Sequence, residues 1–188
     1  MFKPYKPNAE ELALLKSGKW KDNPELKEIM QEKNLYLFKA ILTGAYLREA
    51  WLREANLEGA NLRGANLRGA SLFKACLVGA CLYRAILFQV DLEEADLSSA
   101  NLYKAILVRA DLSSANLYKA NLREADLCKA NLFKANLRET DLRNAIIDKN
   151  NFDKYIDKSF WEYEIICDDI VRIKRKGLLM RLLNKLKF

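Results

Sequence analysis

Apolar side chains recur at every fifth position through the centre of this chain. Leucine occupies each fifth residue from 42 to 142, 21 times without a gap, and Ile147 and Phe152 continue the row. From residue 40 to residue 145, alanine lies two residues before each of these apolar positions, except where Val90 and Thr140 replace it. A short period that repeats without slipping predicts a solenoid, in which one small structural unit is stacked many times.

A period of five fits neither of the regular secondary structures. An amphipathic helix needs apolar residues three and four positions apart, and a strand needs strict alternation. The alanine and the leucine of one unit are two residues apart, as they would be on one face of a short strand. We therefore expect short extended sides joined by turns, with alanine near each corner and leucine filling the centre.

The repeated unit reads A-(N/D)-L-x-x, as in Ala55-Asn56-Leu57 and Ala125-Asp126-Leu127. On these residues the segment 40–154 resembles the pentapeptide-repeat proteins. The resemblance implies an all-β solenoid, a right-handed quadrilateral β-helix in which four units form one coil and successive coils stack about 4.8 Å apart. About six such coils would fit in this segment. The Asn or Asp before each leucine is expected to satisfy backbone groups at the bends.

The residues before the repeat predict a helical N-terminal cap over 1–39. Asn8 and Glu11 are spaced as a capping box, and Gly18 is placed to end the first helix. Asn23-Pro24 marks the start of a second helix, because proline is favoured at the first helical position. A solenoid end exposes a leucine cross-section and unpaired strand groups, which such a cap would cover.

Residues 155–188 predict a helical, basic C-terminal cap and tail. The stretch 159–162 resembles a second capping box, and apolar residues continue from Trp161 to Ile173 at spacings that we read as helical. A short basic amphipathic helix is predicted beyond Gly177. This tail could pack on the rod, dock on a partner or lie in an anionic membrane surface; its candidate contact residues are Arg181, Leu182, Leu183, Lys185, Leu186 and Lys187.

Charge narrows the possible functions. The chain carries 32 basic and 25 acidic residues, a net charge of +7, but the repeat alone holds 16 basic and 14 acidic residues. Some members of the family that the repeat resembles imitate the DNA duplex and bind DNA gyrase, and they need a strongly acidic surface that this repeat lacks. Basic and acidic residues are interleaved along the repeat, so no nucleic-acid partner is expected.

No residues with the spacing of a catalytic, cofactor or metal site stand out. The chain has no histidine, which is the commonest general base. No two of its four cysteines have the C-x-x-C spacing. Three of them, Cys76, Cys81 and Cys128, fall on outward repeat positions. The sequence also lacks a signal-peptide pattern and an apolar run of about 20 residues. We expect a non-enzymatic, cytoplasmic protein without cofactor, with peripheral membrane association as the alternative.

One outward surface of the predicted rod is unusually apolar. Most units carry Asn, Asp or charged residues at outward positions, but two neighbouring coils carry bulky groups there. We call this surface the mid-rod wall, and it comprises Tyr83, Ile86, Phe88, Tyr103, Ile106 and Val108. Exposed apolar patches commonly mark interaction sites. The sequence therefore favours a protein-interaction scaffold that binds a protein partner or a second copy of itself, although the chain's own tail could also cover the wall.

Overall fold

A repeat β-helix forms most of the molecule, with different secondary structure at its two ends. The computed structural model describes residues 5–32, 34–158, 161–167 and 169–175. The helices and strands are α1 (Ala9–Ser17), a 3₁₀ turn (Lys19–Asp22), α2 (Pro24–Glu32), β1 (Ile146–Asp148), α3 (Lys149–Tyr155), β2 (Trp161–Cys167) and β3 (Ile170–Arg175).

Parallel pairing at intervals of 20 residues defines the coil. Asn56 pairs with Cys76, Cys76 pairs with Asp96, and the same step recurs from residue 36 to residue 146. The Leu77 amide donates to the Asp96 carbonyl at 2.7 Å. Because each side uses one five-residue unit, four sides make a coil, as the resemblance implies. The right-handed sense of the coil stays a prediction.

Each corner requires a residue with positive φ. In one such turn the Ala45 amide donates to the Leu42 carbonyl at 3.1 Å, and Gly44 between them has φ 65°. A left-handed third residue is the requirement of a type II turn. Glycine meets it without strain, but 17 other residues adopt the same conformation, at roughly 1–2 kcal/mol each. Coil-to-coil hydrogen bonds hold these corners in place.

Leucine and alanine fill the interior as the pattern predicts. Leu92 and Leu97 are fully buried, and Val90 takes an alanine position with 1% of its surface exposed. The row begins one unit earlier than predicted, since Leu37 is also buried. At the other end Phe152 is buried but lies on α3. The predicted end of the repeat at 154 was therefore too late.

The helices before the repeat close its N-terminal end. Asn8 and Glu11 form the predicted capping box, and Gly18 ends α1 in the left-handed conformation. Trp20 is 1% exposed, and its indole Nε1 donates to the Tyr46 carbonyl at 3.3 Å. The Tyr46 amide in turn donates to the Lys16 carbonyl at 3.0 Å. These contacts attach the helices to the first coil.

The helix predicted from residue 159 onward is wrong for the described residues. β2 and β3 form an antiparallel hairpin, and β3 also pairs with β1, giving the strand order β1-β3-β2. Val171 and Ile173 are fully buried, while Arg172 between them and Lys174 after them are only partly buried. This alternation is the period of a strand, and β-branched residues favour it. The predicted tail, including Arg181, Leu182, Leu183, Lys185, Leu186 and Lys187, lies outside the described residues.

Candidate interaction surface

The repeat geometry brings together the four members of the mid-rod wall that are not tyrosine. These are Ile86, Phe88, Ile106 and Val108. Ile86 and Ile106 occupy equivalent positions on neighbouring coils and form a parallel bridge. The Leu87 amide donates to the Ile106 carbonyl at 2.8 Å, and the Gln89 amide donates to the Val108 carbonyl at 3.0 Å. Ile106 is 41% exposed. Phe88, Ile86 and Val108 are partly buried around it.

Two tyrosines extend the wall around the corner of the rod. The rings of Tyr83 and Tyr103 lie with centroids 5.6 Å apart at an angle of 43°, as their spacing of 20 residues predicts. The Tyr103 hydroxyl donates to Glu124 at 2.9 Å. Because this bond fixes one ring and the ring contact orients the other, the tyrosines form a fixed border to the apolar patch.

Arginine side chains line the same surface, and the hydrophobic pattern of the sequence does not predict them. The Arg63 guanidinium lies 4.6 Å from the Tyr83 ring centre, and the Arg68 guanidinium lies 4.7 Å from that of Phe88. Arg84 also approaches Tyr83, at 5.2 Å. None of the three arginines forms an ion pair within the described part of the chain. A spacing of 20 residues between a cation and an aromatic residue is the signal that would have revealed the first two pairs.

The fold separates charges that are interleaved in the sequence. Arg63, Arg84 and Lys104 project from the side of the coil that carries the two tyrosines. The opposite side, two corners away, carries four acidic residues on adjacent coils, namely Asp91, Glu93, Glu94 and Asp111. The two sides therefore differ in net charge, although each also carries an ion pair between opposite charges: Lys104 with Glu124 at 3.3 Å on the first and Lys74 with Glu94 at 3.4 Å on the second.

The Asn and Asp residues of the repeat satisfy structural hydrogen bonds. The Asn116 Oδ1 accepts the Tyr118 amide at 3.2 Å, and its Nδ2 donates to Asp96 Oδ1 at 3.1 Å. Asn136 Nδ2 continues the ladder by donating to Asn116 Oδ1 at 2.9 Å. The expectation that these side chains cap the bends is confirmed, so we assign them no other role.

Three titratable groups near the wall, Cys128, Glu124 and Lys104, have shifted pKa values. Burial, followed by a hydrogen bond with Asp126, raises the pKa of the Cys128 thiol to about 12. Glu124 has its pKa held below the ordinary value, chiefly by the Tyr103 hydrogen bond, which outweighs desolvation, and by Lys104. Lys104 lies 3.3 Å from Glu124. These groups keep their ordinary charge states, so they stabilise the surface without offering a nucleophile or a general base.

The described residues show neither a metal-binding cluster nor a membrane-spanning helix. Over residues 5–32, 34–158, 161–167 and 169–175, no cluster of three acidic, cysteine or histidine side chains could hold a metal ion. Within the same ranges, every helix is too short or too polar to cross a bilayer.

A comparison with known protein families identifies the same five-residue repeat. The sequence profile of pentapeptide repeats matches in overlapping stretches, 40–77, 52–89, 75–113 and 110–148, with 8 copies. These stretches cover more than half of the chain. No curated protein sequence matches.

Three crystal structures of cyanobacterial pentapeptide-repeat proteins are similar to parts of the chain. The protein alr5209 from Nostoc PCC 7120 is 40% identical over 45% of this chain and 70% of its own, with a TM-score of 0.44. Rfr23 from Cyanothece 51142 is 38% identical over 50% and 63%, with a TM-score of 0.34. HetL from Nostoc sp. strain PCC 7120, a protein involved in heterocyst differentiation regulation, is 32% identical over 61% and 65%, with a TM-score of 0.22.

Proposed function

Because this chain belongs to the pentapeptide-repeat family, we propose that it is a non-enzymatic scaffold whose rod binds a protein partner through the mid-rod wall. Cytoplasmic location and the absence of a cofactor are part of the proposal. The observation that carries it is the contiguous apolar patch on two adjacent coils, centred on Ile106, which is 41% exposed.

The arginine border defines the kind of surface that would fit the wall. Arg63 and Arg68 lie over aromatic rings and have no acidic partner among the described residues. Tyrosine and arginine are also the residues most enriched in interface hot spots. A partner with an apolar centre and an acidic border would bury Ile106 and Phe88 while pairing with the guanidiniums.

A second copy of the chain is an alternative partner. Homodimers commonly use one patch on both subunits, so the same wall could face itself across a two-fold axis. The arginine border opposes this arrangement, because like charges would meet at the edges of such a contact. We therefore favour a different protein, and the oligomeric state decides between the two.

The test uses a double substitution and a matched control. Phe88→Asp with Ile106→Asp should leave the thermal melt almost unchanged, because neither side chain enters the leucine core, and it should abolish binding. Phe133→Asp makes the same chemical change at a side chain that is 49% exposed on another side of the rod, and it should leave binding intact.

Two measurements report the outcome. Light scattering compares the oligomeric state of the native chain and the double variant. A photo-crosslinking amino acid at position 106, compared with one at position 133, captures whatever contacts the wall in the cell that makes the protein. The proposal predicts a monomer and a specific protein adduct at position 106. A dimer that the double substitution dissolves would identify a second copy, and equal adducts at both positions would refute the wall as a binding site.

A further inference from the structure

The C-terminal end of the rod contains a cleft of about 680 Å³. Its floor is formed by two consecutive sides of the terminal coil, from Ala135 to Arg143. Its walls are the end of α3, at 155–157, and the end of the β2–β3 hairpin, where Trp161 pairs with Arg175. The cleft is separate from the mid-rod wall and depends on none of its residues.

The floor of the cleft has an unpaired strand edge. One coil earlier on the same side, the Leu117 amide donates to the Asn136 carbonyl at 2.9 Å and the Lys119 amide donates to the Arg138 carbonyl at 3.1 Å. The equivalent amides of the terminal coil belong to Leu137 and Glu139, and neither finds an acceptor anywhere in the described ranges. The hairpin supplies coil-to-coil bonds further along, starting where the Asn144 amide donates to the Ile173 carbonyl at 2.9 Å.

Apolar side chains lie beside this edge. Leu137 is only partly buried, whereas the equivalent leucines of the two preceding coils, Leu97 and Leu117, are fully buried. Tyr155 and Trp161 flank it and are also partly buried. An open strand edge next to apolar pockets is the arrangement by which proteins bind extended peptides, through main-chain hydrogen bonds and alternate side chains.

The unpaired charges at the cleft are positive. Glu139 pairs with Lys119 at 3.7 Å, and Asp141 pairs with Arg143. The guanidiniums of Arg138 and Arg175 are exposed, and across the described segments neither forms an ion pair. An incoming segment would therefore be attracted by two arginines, and of the three carboxylates that line the cleft, those of Glu139 and Asp141 are already neutralised.

We propose that this cleft binds an extended acidic segment of another protein, which adds to the terminal coil as the next strand. Its main chain bonds to the amides of Leu137 and Glu139, its apolar side chains contact Leu137 and Trp161, and its carboxylates pair with the two arginines. Residues 176–188 of the chain itself carry four basic residues and no acidic one. They match the charge of the cleft poorly, although they follow directly from Arg175.

The test uses the full chain and a defined probe. The probe is an acetylated, amidated hexapeptide of alternating glutamate and valine, and the control peptide replaces glutamate with lysine. Amide hydrogen exchange followed by NMR should show that the acidic peptide slows exchange at Leu137 and Glu139, while the basic peptide does not. The double variant Arg138→Glu with Arg175→Glu should weaken binding about tenfold or more, because two charge-assisted hydrogen bonds are lost.

Arg109→Glu is the matched control, since Arg109 lies exposed on another side of the rod and away from the cleft. It should leave the affinity unchanged. Equal binding of the two peptides, or equal loss of affinity in the two variants, would overturn the proposal. So would amides of Leu137 and Glu139 that are already protected in the free chain and become exposed when 176–188 are removed, because the chain's own segment would then occupy the cleft.

Discussion

The two ends of the rod finish the same repeat in different ways. At the N-terminal end, α1, the 3₁₀ turn and α2 cover a coil whose leucines, from Leu37 to Leu52, are at most 2% exposed. At the C-terminal end, α3 and the β2–β3 hairpin cover part of the last coil and leave Leu137 only partly buried. One end is closed by side-chain packing, and the other is continued by a strand along only part of its length.

This difference shows what a stacked repeat needs at its limits. Each coil binds the next through backbone hydrogen bonds, so the last coil always presents an edge that could accept another. Helices cover the exposed leucines, and the N-terminal segment continues the pairing only at single positions, such as the parallel bridge between Tyr5 and Leu35. A strand such as β3 continues the pairing but extends only as far as its own residues, and the amides of Leu137 and Glu139 beyond it have no acceptor among the described residues.

The largest difference between the two ends is expected when the tryptophan at each end is replaced by alanine. Trp20→Ala should destabilise the fold by about 3–5 kcal/mol, because it removes a fully buried ring. The centroid of this ring lies 6.2 Å from that of Trp51. Trp161→Ala should cost only about 1 kcal/mol, since Trp161 is partly buried beside the cleft. Urea melts of the two variants measure the difference, and equal losses would show that the ends are equally closed.

A smaller test compares one leucine at each end. Leu47→Ala should cost about 2–5 kcal/mol, the usual range for a fully buried leucine. Leu137→Ala should cost less than half as much, because its side chain already contacts the open cleft. Leu92→Ala in mid-rod and Ser98→Ala on the outside provide the references, at about 2–5 and under about 0.5 kcal/mol. Matching melts for Leu92→Ala and Ser98→Ala would refute the inward and outward assignment itself.

Acid should weaken an ion pair at each end. Lys21, through its hydrogen bond and its charge, holds the pKa of Glu49 below the ordinary value and ties the 3₁₀ turn to the first coils. Burial raises the pKa of Asp141, but Arg143 outweighs it and the pKa again lies below its usual range. Both contributions are therefore present above the ordinary carboxyl pKa and are lost as the pH falls through the lower folded values.

Melting temperatures measured between pH 7 and pH 2.5 check this dependence. Glu49→Gln and Asp141→Asn should each melt at a lower temperature than the native chain at pH 7 and approach it at the acidic end. Glu58→Gln is the control, because no ion pair of Glu58 is found within the described residues. A constant gap between native and variant chains at every pH would contradict the assignment.

The smallest expected effect concerns DNA gyrase, for which we predict no inhibition. DNA mimicry requires a field like that of the phosphate backbone along the whole rod. Here the acidic residues Asp91, Glu93, Glu94 and Asp111 lie on one side only, and Lys74 pairs with one of them, Glu94, at 3.4 Å. A supercoiling assay with purified gyrase measures the effect. Potent inhibition would show that one acidic side is enough.

The sequence predicts the interior of this protein far better than its ends. The five-residue period identifies the buried row because each inward position repeats the same local environment many times. Asn8, Gly18 and Pro24 predict the N-terminal helices for a similar reason, since helix signals are local. The neighbours of Ile86 and Ile106 follow from the 20-residue coil alone.

The C-terminal hairpin could not be predicted in the same way. Trp161, Ile165 and Ile173 fit a helical stripe or an alternating strand, and the choice depends on the open edge of the last coil against which β3 pairs. The cleft is also invisible in sequence, because it results from where β3 stops pairing. The arginines over the wall required the 20-residue register, and the separation of charge by sides required the folded coil.

The central claim, that the rod is closed at one end and open at the other, is tested most directly by amide hydrogen exchange in the free, full-length chain. Leu117 and Lys119 donate to the next coil at 2.9 and 3.1 Å, and Leu137 and Glu139 occupy the same positions one coil later. The account predicts that Leu117 and Lys119 exchange slowly, at the rate of mid-rod amides, while Leu137 and Glu139 exchange at least about a hundredfold faster. Equal protection of all four amides would contradict it.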